Sequence, residues 1–363
     1  MLYSPSEAFH FVRSYFSTAP SYAILFVTGM CNARCRHCFY LEEIRSADRT
    51  KELTLEEIEK IAGSLRLIYL SIGGGEPFIR TDLPEIVHAF YARSGLLYCN
   101  IVTNGWYTSR TINVVKTVLR DCPRLRLKIQ VSIDDFEHAH DENRGIPGSY
   151  RKAVETIRAL SELRGRQRRL TLDIATCLTN LNKKNAQTLA DRLRQDLVFD
   201  NFSFLYPRGN TQDAATKEVS AEEYSHAVEH IEKTDFRNNH NPILGAVQRV
   251  ARRGLLRVIR ENAHPWPCLA GRKFIHITER GVLKPCEVLG QMLPHYDSDL
   301  AELRRHDFNV ADALATPKTR DVVGFIDESR CRCTFECAAM NNVVFRKRFA
   351  VRVLWAWLTG QSN

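Results

Sequence analysis

Short apolar runs alternate with longer amphipathic or polar stretches along the chain. Residues 22–28 (YAILFVT) are apolar, β-branched and aromatic almost throughout, the pattern of a strand covered on both faces. Further strands are read at 66–72, 96–103, 127–133, 170–177 and 201–206. Helical spacing fills the gaps. Thr54 precedes one helix as an N-cap, Thr81-Asp-Leu-Pro84 opens the next, and others are read at 149–164 and 184–196. Residues 5–17 predict an amphipathic helix whose face of Phe9, Val12 and Phe16 packs against the body of the fold.

Six strands with connections long enough for parallel crossovers make an α/β fold. The pattern alone allows a partial (β/α)6 TIM-like barrel, open on one side, or a doubly wound sheet. Residues 212–260 follow as a helical bridge, polar and then basic. Residues 273–286 (KFIHITERGVLKPC) read as a β-hairpin turning at Glu279-Arg280-Gly281. The division expected is 1–20 for the N-terminal helix, 21–211 for the barrel, 212–260 for the bridge, 261–341 for a small cysteine-rich domain and 342–363 for a basic amphipathic tail. In the tail Phe345, Phe349, Val353, Trp355 and Trp357 accompany Arg346, Lys347, Arg348 and Arg352. Its apolar residues dock on the barrel, lie on a membrane surface as a peripheral contact, or meet a partner.

Composition narrows the class. With 363 residues and 44% apolar content the chain buries a sizeable core. No apolar run approaches the ~18–20 residues of a membrane span, and the first residues lack the plan of a signal peptide. Eleven cysteines, most at metal-type spacings, point to a cytoplasmic, reducing setting and to metal ligation rather than disulfides. The net charge of +9 is moderate. Arg164, Arg166, Arg168 and Arg169 read as a solvated helix end, and with no RNA-binding motif no nucleic-acid partner is expected.

The chemistry starts on the loop leaving the first strand. Residues 29–40 place Cys31, Cys35 and Cys38 in a C-x3-C-x2-C spacing. Active sites of parallel α/β folds collect at such strand ends. Three thiolates on one loop suit a [4Fe-4S] cluster with one open iron. Zinc prefers four ligands, and His37 beside Cys38 would strain to reach the same metal. A zinc site, or three reduced buried cysteines, are the alternatives. The second strand ends in Gly73-Gly74-Gly75-Glu76-Pro77, where bare backbone admits a ligand and Glu76 can take up an ammonium group.

With the cysteine triplet and this Gly-Gly-Glu-Pro strand end, the chain resembles the radical S-adenosylmethionine (SAM) superfamily. The resemblance implies a six-stranded partial barrel and an enzyme that cleaves SAM reductively to a 5′-deoxyadenosyl radical, which takes hydrogen from a substrate. It implies a reductant protein of flavodoxin or ferredoxin type. Gly74, Gly75 and Glu76 match the family's methionine-amine site. Ser132 and Arg144, in a Ser-x-Asp … His-Asp-x-x-Arg-Gly context, match residues that hold the SAM ribose and carboxylate. Phe39 and Tyr206 would flank the adenine, although His37 stands where the family often has an aromatic. Asn104 would face the same cavity or shape its turn.

A second set of cysteines follows. Cys268 and Cys286 sit at the two bases of the hairpin, and Cys331, Cys333 and Cys337 come later. Residues 262–341 resemble the SPASM and shorter twitch extensions of radical SAM enzymes, which implies one auxiliary [4Fe-4S] cluster; a zinc ribbon is the alternative. Five thiols leave one over. The spacing does not decide between Cys331, Cys333 and Cys337; the set preferred is Cys268, Cys286, Cys333 and Cys337. Glu287 and Glu336 read as surface neighbours of these cysteines, and no catalytic acid or base is assigned. Cys99 and Cys177 read as core. The 20 or so residues before the first strand are few for a peptide-recognition domain. That favours a sugar, nucleoside or lipid precursor as substrate, with a ribosomally made peptide as the alternative. A rival of another class is a non-catalytic iron–sulfur protein for electron transfer or redox sensing.

Overall fold

A computed structural model describes residues 5–235, 242–262, 266–329, 331, 333–346, 349, 351, 352 and 355. In chain order it contains α1 (Pro5–Phe16), β1 (Tyr22–Thr28), α2 (Leu41–Arg45), α3 (Leu55–Gly63), β2 (Tyr69–Gly74), α4 (Leu83–Ser94) and β3 (Tyr98–Thr103). Then come α5 (Thr108–Asp121), β4 (Arg126–Ser132), α6 (Glu137–Arg144), α7 (Ser149–Arg166), β5 (Leu170–Cys177), α8 (Ala186–Asp196) and β6 (Asn201–Leu205). The bridge is α9 (Ala221–Asp235) and α10 (Pro242–Glu261). The last part holds β7 (Phe274–Ile277), β8 (Val282–Lys284), α11 (Leu289–Met292), β9 (Ala301–Glu302), α12 (Val310–Leu314), α13 (Pro317–Ser329) and α14 (Glu336–Val344).

Strands β1 to β6 pair in parallel, each beside the next, and form the open six-stranded part-barrel. β2 and β3 begin later than the apolar pattern suggests. Leu67 and Ile68 are buried, but their N–H groups bond to Ser94 and Ser21 carbonyls in the approach to the sheet. The hairpin does not form a sheet of its own. β7 pairs in parallel with the free edge of β1, and β8 and β9 continue outward antiparallel, so one nine-stranded sheet runs β6-β5-β4-β3-β2-β1-β7-β8-β9. This covers what would otherwise be an open strand edge at the first cysteine loop. It also explains why β1 is buried along nearly its whole length.

The two faces of the sheet differ. On β4 burial alternates: Leu127, Ile129 and Val131 are buried, while Arg126, Lys128, Gln130 and Ser132 are half-buried. Val131 abuts the close approach of Gly105 to Ala153 of α7, so the apolar set faces the helix layer. The polar set therefore faces the concave side. There Tyr22, Tyr69 and Tyr98 stand side by side in register, their rings 5.0 and 6.2 Å apart, with Arg126 over Tyr98. One layer above, Lys128 pairs with Asp173 at 3.3 Å, and Asn201 donates to Asp173 at 2.8 Å.

The N-terminal helix departs from expectation. Phe9, Val12 and Phe16 are 68%, 52% and 67% exposed and do not form the docking face. α1 is instead held by polar contacts: His10 meets the Leu67 carbonyl at 3.0 Å, and Lys273 donates to the Ser14, Tyr15 and Ser17 carbonyls at its C-terminal end. A cation there satisfies the last carbonyls and the helix dipole together. Of the tail, Val353, Trp357, Lys347 and Arg348 lie outside the described residues. Phe349 packs edge-on against Trp266 at 5.6 Å and Phe345 lies over Tyr15 at 5.8 Å, so these two aromatics dock on the fold. No helix among the described residues is long and apolar enough to cross a membrane.

Candidate active site

The Cys31–Cys38 loop leaves the C-terminal end of β1 and is clamped from three sides. On the first side the β2 exit runs against it. Gly75 N–H donates to Thr28 O and Glu76 N–H to Met30 O, both at 2.8 Å. The glycines serve this approach of two backbones. A Cβ on Gly75 would lie 2.1 Å from Met30 O, and one on Gly74, at φ +110°, would lie 2.5 Å from Thr28 O. Gly75→Ala is accordingly expected to force the two segments apart, destabilise the fold by about 1–3 kcal/mol and reduce iron loading; thermal denaturation and iron content check it. Glu52, which no motif singles out, accepts from Thr28 Oγ1 at 2.6 Å and from Gly29 N–H at 2.8 Å.

Glu76 is buried. Its carboxylate accepts from Thr103 Oγ1 (2.7 Å), Asn104 N–H (2.8 Å) and Phe78 N–H (3.2 Å). Burial pushes its pKa up to about 7 despite these bonds. An ionised carboxylate has about four acceptor sites, so room for one more donor remains. Asn104 donates from Nδ2 to Asn32 Oδ1 at 2.9 Å, tying the β3 end to the cysteine loop. Asn32 Nδ2 is itself buried and has no hydrogen-bond partner among the described residues.

On the second side stands the C-terminal end of α6. Arg34 N–H donates to Arg144 O and Arg36 N–H to Asn143 O, both at 2.9 Å. The Arg144 guanidinium lies on Asp134, donating from Nε at 2.7 Å, and reaches Cys35 Sγ at 3.7 Å. Asp134 is fully buried and also accepts from Asn143 Nδ2 and Cys177 N–H. His140 Nδ1 accepts from Asp134 N–H at 3.0 Å. Asp134 is thus the hub that aims Arg144, a role visible only once α6 has folded back on the strand end. Ser132 is half-buried at the concave end of β4, two residues before this hub.

The third side is the segment after β6. Asp213 N–H donates to Arg36 O at 2.9 Å, and the Arg36 and Asp213 side chains pair at 2.6 Å. Gln291 of α11 donates to Phe39 O at 2.9 Å. Tyr206 is less free to meet a ligand than expected: its hydroxyl donates to Val219 O at 2.7 Å and its ring meets Tyr224 edge-on.

Cys31 and Cys38 both lie within electrostatic reach of Cys35, and burial pushes their thiols up to about 12. Among the described residues no three metal-binding side chains stand at single-ion spacing. A cubane does not require that, since each thiolate binds a different iron. The three converging thiols, the orphaned Asn32 amide and the Arg144 guanidinium beside Cys35 fit an iron–sulfur cluster with an anionic ligand next to it.

A second charged centre joins this site to the later cysteines. Arg208, just past β6, pairs with Glu287 at 3.0 Å and Glu336 at 3.3 Å, and lies over the rings of Phe39 and Phe335 at 5.0 and 4.7 Å. Glu287 and Glu336 are therefore interior residues, not surface ones, with side chains 6% and 19% exposed. Two buried carboxylates are tolerable here because they share one guanidinium. Cys177, read as core, is half-buried at the β5 end, within the fields of Asp134, Arg208 and Glu336. Cys99 and Cys122 are buried in the core.

Residues 25–193 match the profile described as "Radical SAM superfamily". The chain is 26% identical over 283 residues to an "AdoMet-dependent heme synthase" of Oleidesulfovibrio alaskensis, covering 72% of this chain and 68% of the relative. It is 24% identical over 275 residues to the "Antilisterial bacteriocin subtilosin biosynthesis protein AlbA" of Bacillus subtilis, covering 74% of this chain and 55% of that protein. In structure it resembles SuiB of Streptococcus suis, solved with the precursor peptide SuiA, at a TM-score of 0.62 and 15% identity, over 94% of this chain and 76% of SuiB.

Proposed function

This chain belongs to the radical SAM superfamily and is an enzyme, and on that premise we propose that it abstracts hydrogen from a polar substrate held against the concave face of the part-barrel. The observation that carries the reading is the loop of Cys31, Cys35 and Cys38, clamped between the Gly75–Glu76 turn and the Asp134–Arg144 pair. When bound, the [4Fe-4S] cluster and SAM supply one-electron cleavage to methionine and a 5′-deoxyadenosyl radical.

The chain's own residues bind and orient. Cys31, Cys35 and Cys38 hold the cluster. Glu76, with an acceptor site to spare, takes the methionine ammonium, and Arg144 and Asn32 offer donors to the carboxylate. Gly74 and Gly75 keep the loop and the β2 end in contact, Asn104 fixes Asn32, and Ser132 and Phe39 line the nucleoside side. Tyr206 serves the packing around Val219 rather than the adenine. An auxiliary [4Fe-4S] cluster fits the second cysteine set, with a flavodoxin- or ferredoxin-type protein as reductant.

The polar concave face, with Lys128, Gln130 and Asp173, supports a substrate rich in hydrogen-bonding groups, such as a sugar, nucleoside or lipid precursor. A ribosomally made peptide is the second reading, supported by the likeness to AlbA, a bacteriocin biosynthesis protein. Anaerobically reconstituted protein with dithionite and SAM should release 5′-deoxyadenosine and methionine in equal amounts. Failure to form either from iron-loaded protein would remove the enzyme reading.

A further inference from the structure

Helix α1 crosses the sheet at the N-terminal ends of its strands. Glu7 pairs with Arg126 at the start of β4, His10 meets the Leu67 carbonyl ahead of β2, and Lys273, ahead of β7, donates to the Ser14 and Tyr15 carbonyls. Glu7, His10 and the buried Ser14 follow one another at i, i+3 and i+7, so they share the face turned to the barrel. Phe9, Val12 and Phe16 repeat the same spacing two residues later. At about 100° per residue, that places them on the opposite face, which agrees with their exposure. The polar stripe is inside and the apolar stripe outside, the reverse of an ordinary surface helix. Val198, exposed on the loop between α8 and β6, adds an apolar side chain at the same end of the sheet.

The loops that enter β2, β4 and β5 furnish this end with arginine. Arg66, Arg124, Arg166 and Arg168 are exposed there, and so is Arg13 on the flank of the apolar stripe. No ion pair among the described residues engages them. Carboxylates of the same end are each held by another arginine: Asp121 by Arg120, Asp196 by Arg192 and Asp200 by Arg164. The rim is therefore net positive around an apolar strip. Phe345 packs on Tyr15, so the basic last segment of the sequence begins beside the C-terminal turn of α1.

We propose that this end of the molecule seats on an anionic lipid bilayer, with Phe9, Val12 and Phe16 in the acyl boundary and the arginines on lipid phosphates. An amphipathic helix lying in the interface plane binds by this combination of apolar area and attraction to anionic headgroups. Charge argues against a second copy, since a two-fold pairing of this face would set the arginine rim against itself. A nucleic acid would meet the arginines but offer no apolar layer to Val12 and its neighbours. The reductant protein is also excluded as occupant, because the length of β1, about 20 Å, separates α1 from the Cys31–Cys38 loop. On the bilayer, the cysteine loop faces away from the lipid, so the contact anchors the enzyme and leaves the site open to the aqueous side. The proposal does not depend on the radical SAM reading.

The test is sedimentation of the full-length, iron-loaded protein with sucrose-filled vesicles of phosphatidylcholine alone and of equimolar phosphatidylcholine and phosphatidylglycerol. Wild type should sediment with the mixed vesicles and much less with the neutral ones, and added salt should weaken the binding. Phe9→Ser, Val12→Ser and Phe16→Ser together should lower the partition coefficient at least about tenfold. Arg124→Gln, Arg166→Gln and Arg168→Gln together should lower it by about 100-fold. Both variants should keep the circular dichroism and the 5′-deoxyadenosine formation of wild type, which separates lost binding from misfolding. Wild type left in the supernatant with both vesicles, or equal binding to both, would overturn the proposal. So would unchanged binding in either folded variant. A wild-type dimer in sedimentation velocity that the serine variant dissociates, without vesicle binding, would assign the face to a second copy and overturn it as well.

Discussion

Replacing Cys31, Cys35 and Cys38 together by alanine is expected to abolish 5′-deoxyadenosine formation and to lower reconstituted iron from about eight to about four per chain. The fold should tolerate the change. The loop is positioned by its backbone, through Gly75 to Thr28, Glu76 to Met30, Arg34 to Arg144 and Arg36 to Asn143, and none of these bonds involves a thiol. The thiols themselves make only long contacts, such as Ala33 N–H to Cys31 Sγ at 3.4 Å and Arg144 to Cys35 Sγ at 3.7 Å. Circular dichroism should therefore match wild type. Iron remaining at about eight would place the first cluster on other residues. About four irons in the wild type would mean that a single cluster is present.

Asp134→Ala should produce the largest loss of stability of any single change at the site. It leaves the Arg144 guanidinium buried without its carboxylate, a class of change that costs about 3–5 kcal/mol, and it removes the acceptors for Asn143 and Cys177. The melting temperature should fall by many degrees, and SAM affinity should fall with it because Arg144 loses its aim. Arg144→Ala should weaken SAM binding with a smaller structural loss. If SAM affinity is unchanged in both Arg144→Ala and Glu76→Ala, neither residue touches the cofactor.

The pH dependence has a definite sign. Burial would raise the Asp134 pKa, but the Arg144 guanidinium outweighs it and holds the carboxyl below its ordinary range. That stabilisation is complete above the unfolded value of about 3.9 and is lost as pH falls through the depressed folded value. His140 moves in the same direction but earlier. Burial pushes it down to about 4, and its Nδ1 must stay unprotonated to accept from Asp134 N–H. Its contribution is complete above about 6.5 and drains away as pH falls towards 4. The His140 step should fall below about pH 6.5, where the Asp134 carboxylate is still ionised. Glu76, pushed up to about 7, takes up its proton over the same range with the opposite sign, so the step is read as the difference between wild type and His140→Gln in an acid titration of the melting temperature.

Legibility in the sequence followed the range of the interactions. β1 and the cysteine loop were readable because an unbroken apolar run and a tight spacing are local signals. The boundaries of β5 were readable for the same reason. The seating of β7 on β1 was not, since edge pairing across that separation leaves no mark in either segment. Glu287 and Glu336 looked like surface residues because an acidic side chain beside a cysteine says nothing of the arginine that will meet it; Arg208 lies 79 residues from one and 128 from the other. The α1 face misled for the converse reason. Phe9, Val12 and Phe16 have the right period, but His10 and the Lys273 cap determine how that helix sits.

The position of β7 also sets the order in which the protein can be made. β1 leaves the ribosome long before its neighbour on one side, residues 274–277, which are synthesised some 246 positions after Thr28. At about 5–20 residues per second, that edge stands bare for roughly 10–50 s. During this interval β1 carries an apolar strand border next to three uncommitted thiols. Assembly of the first cluster before the hairpin arrives would occupy those thiols while the edge is still open. A nascent chain of this design gains most from early iron delivery or from a chaperone that shields β1 until translation has passed residue 277.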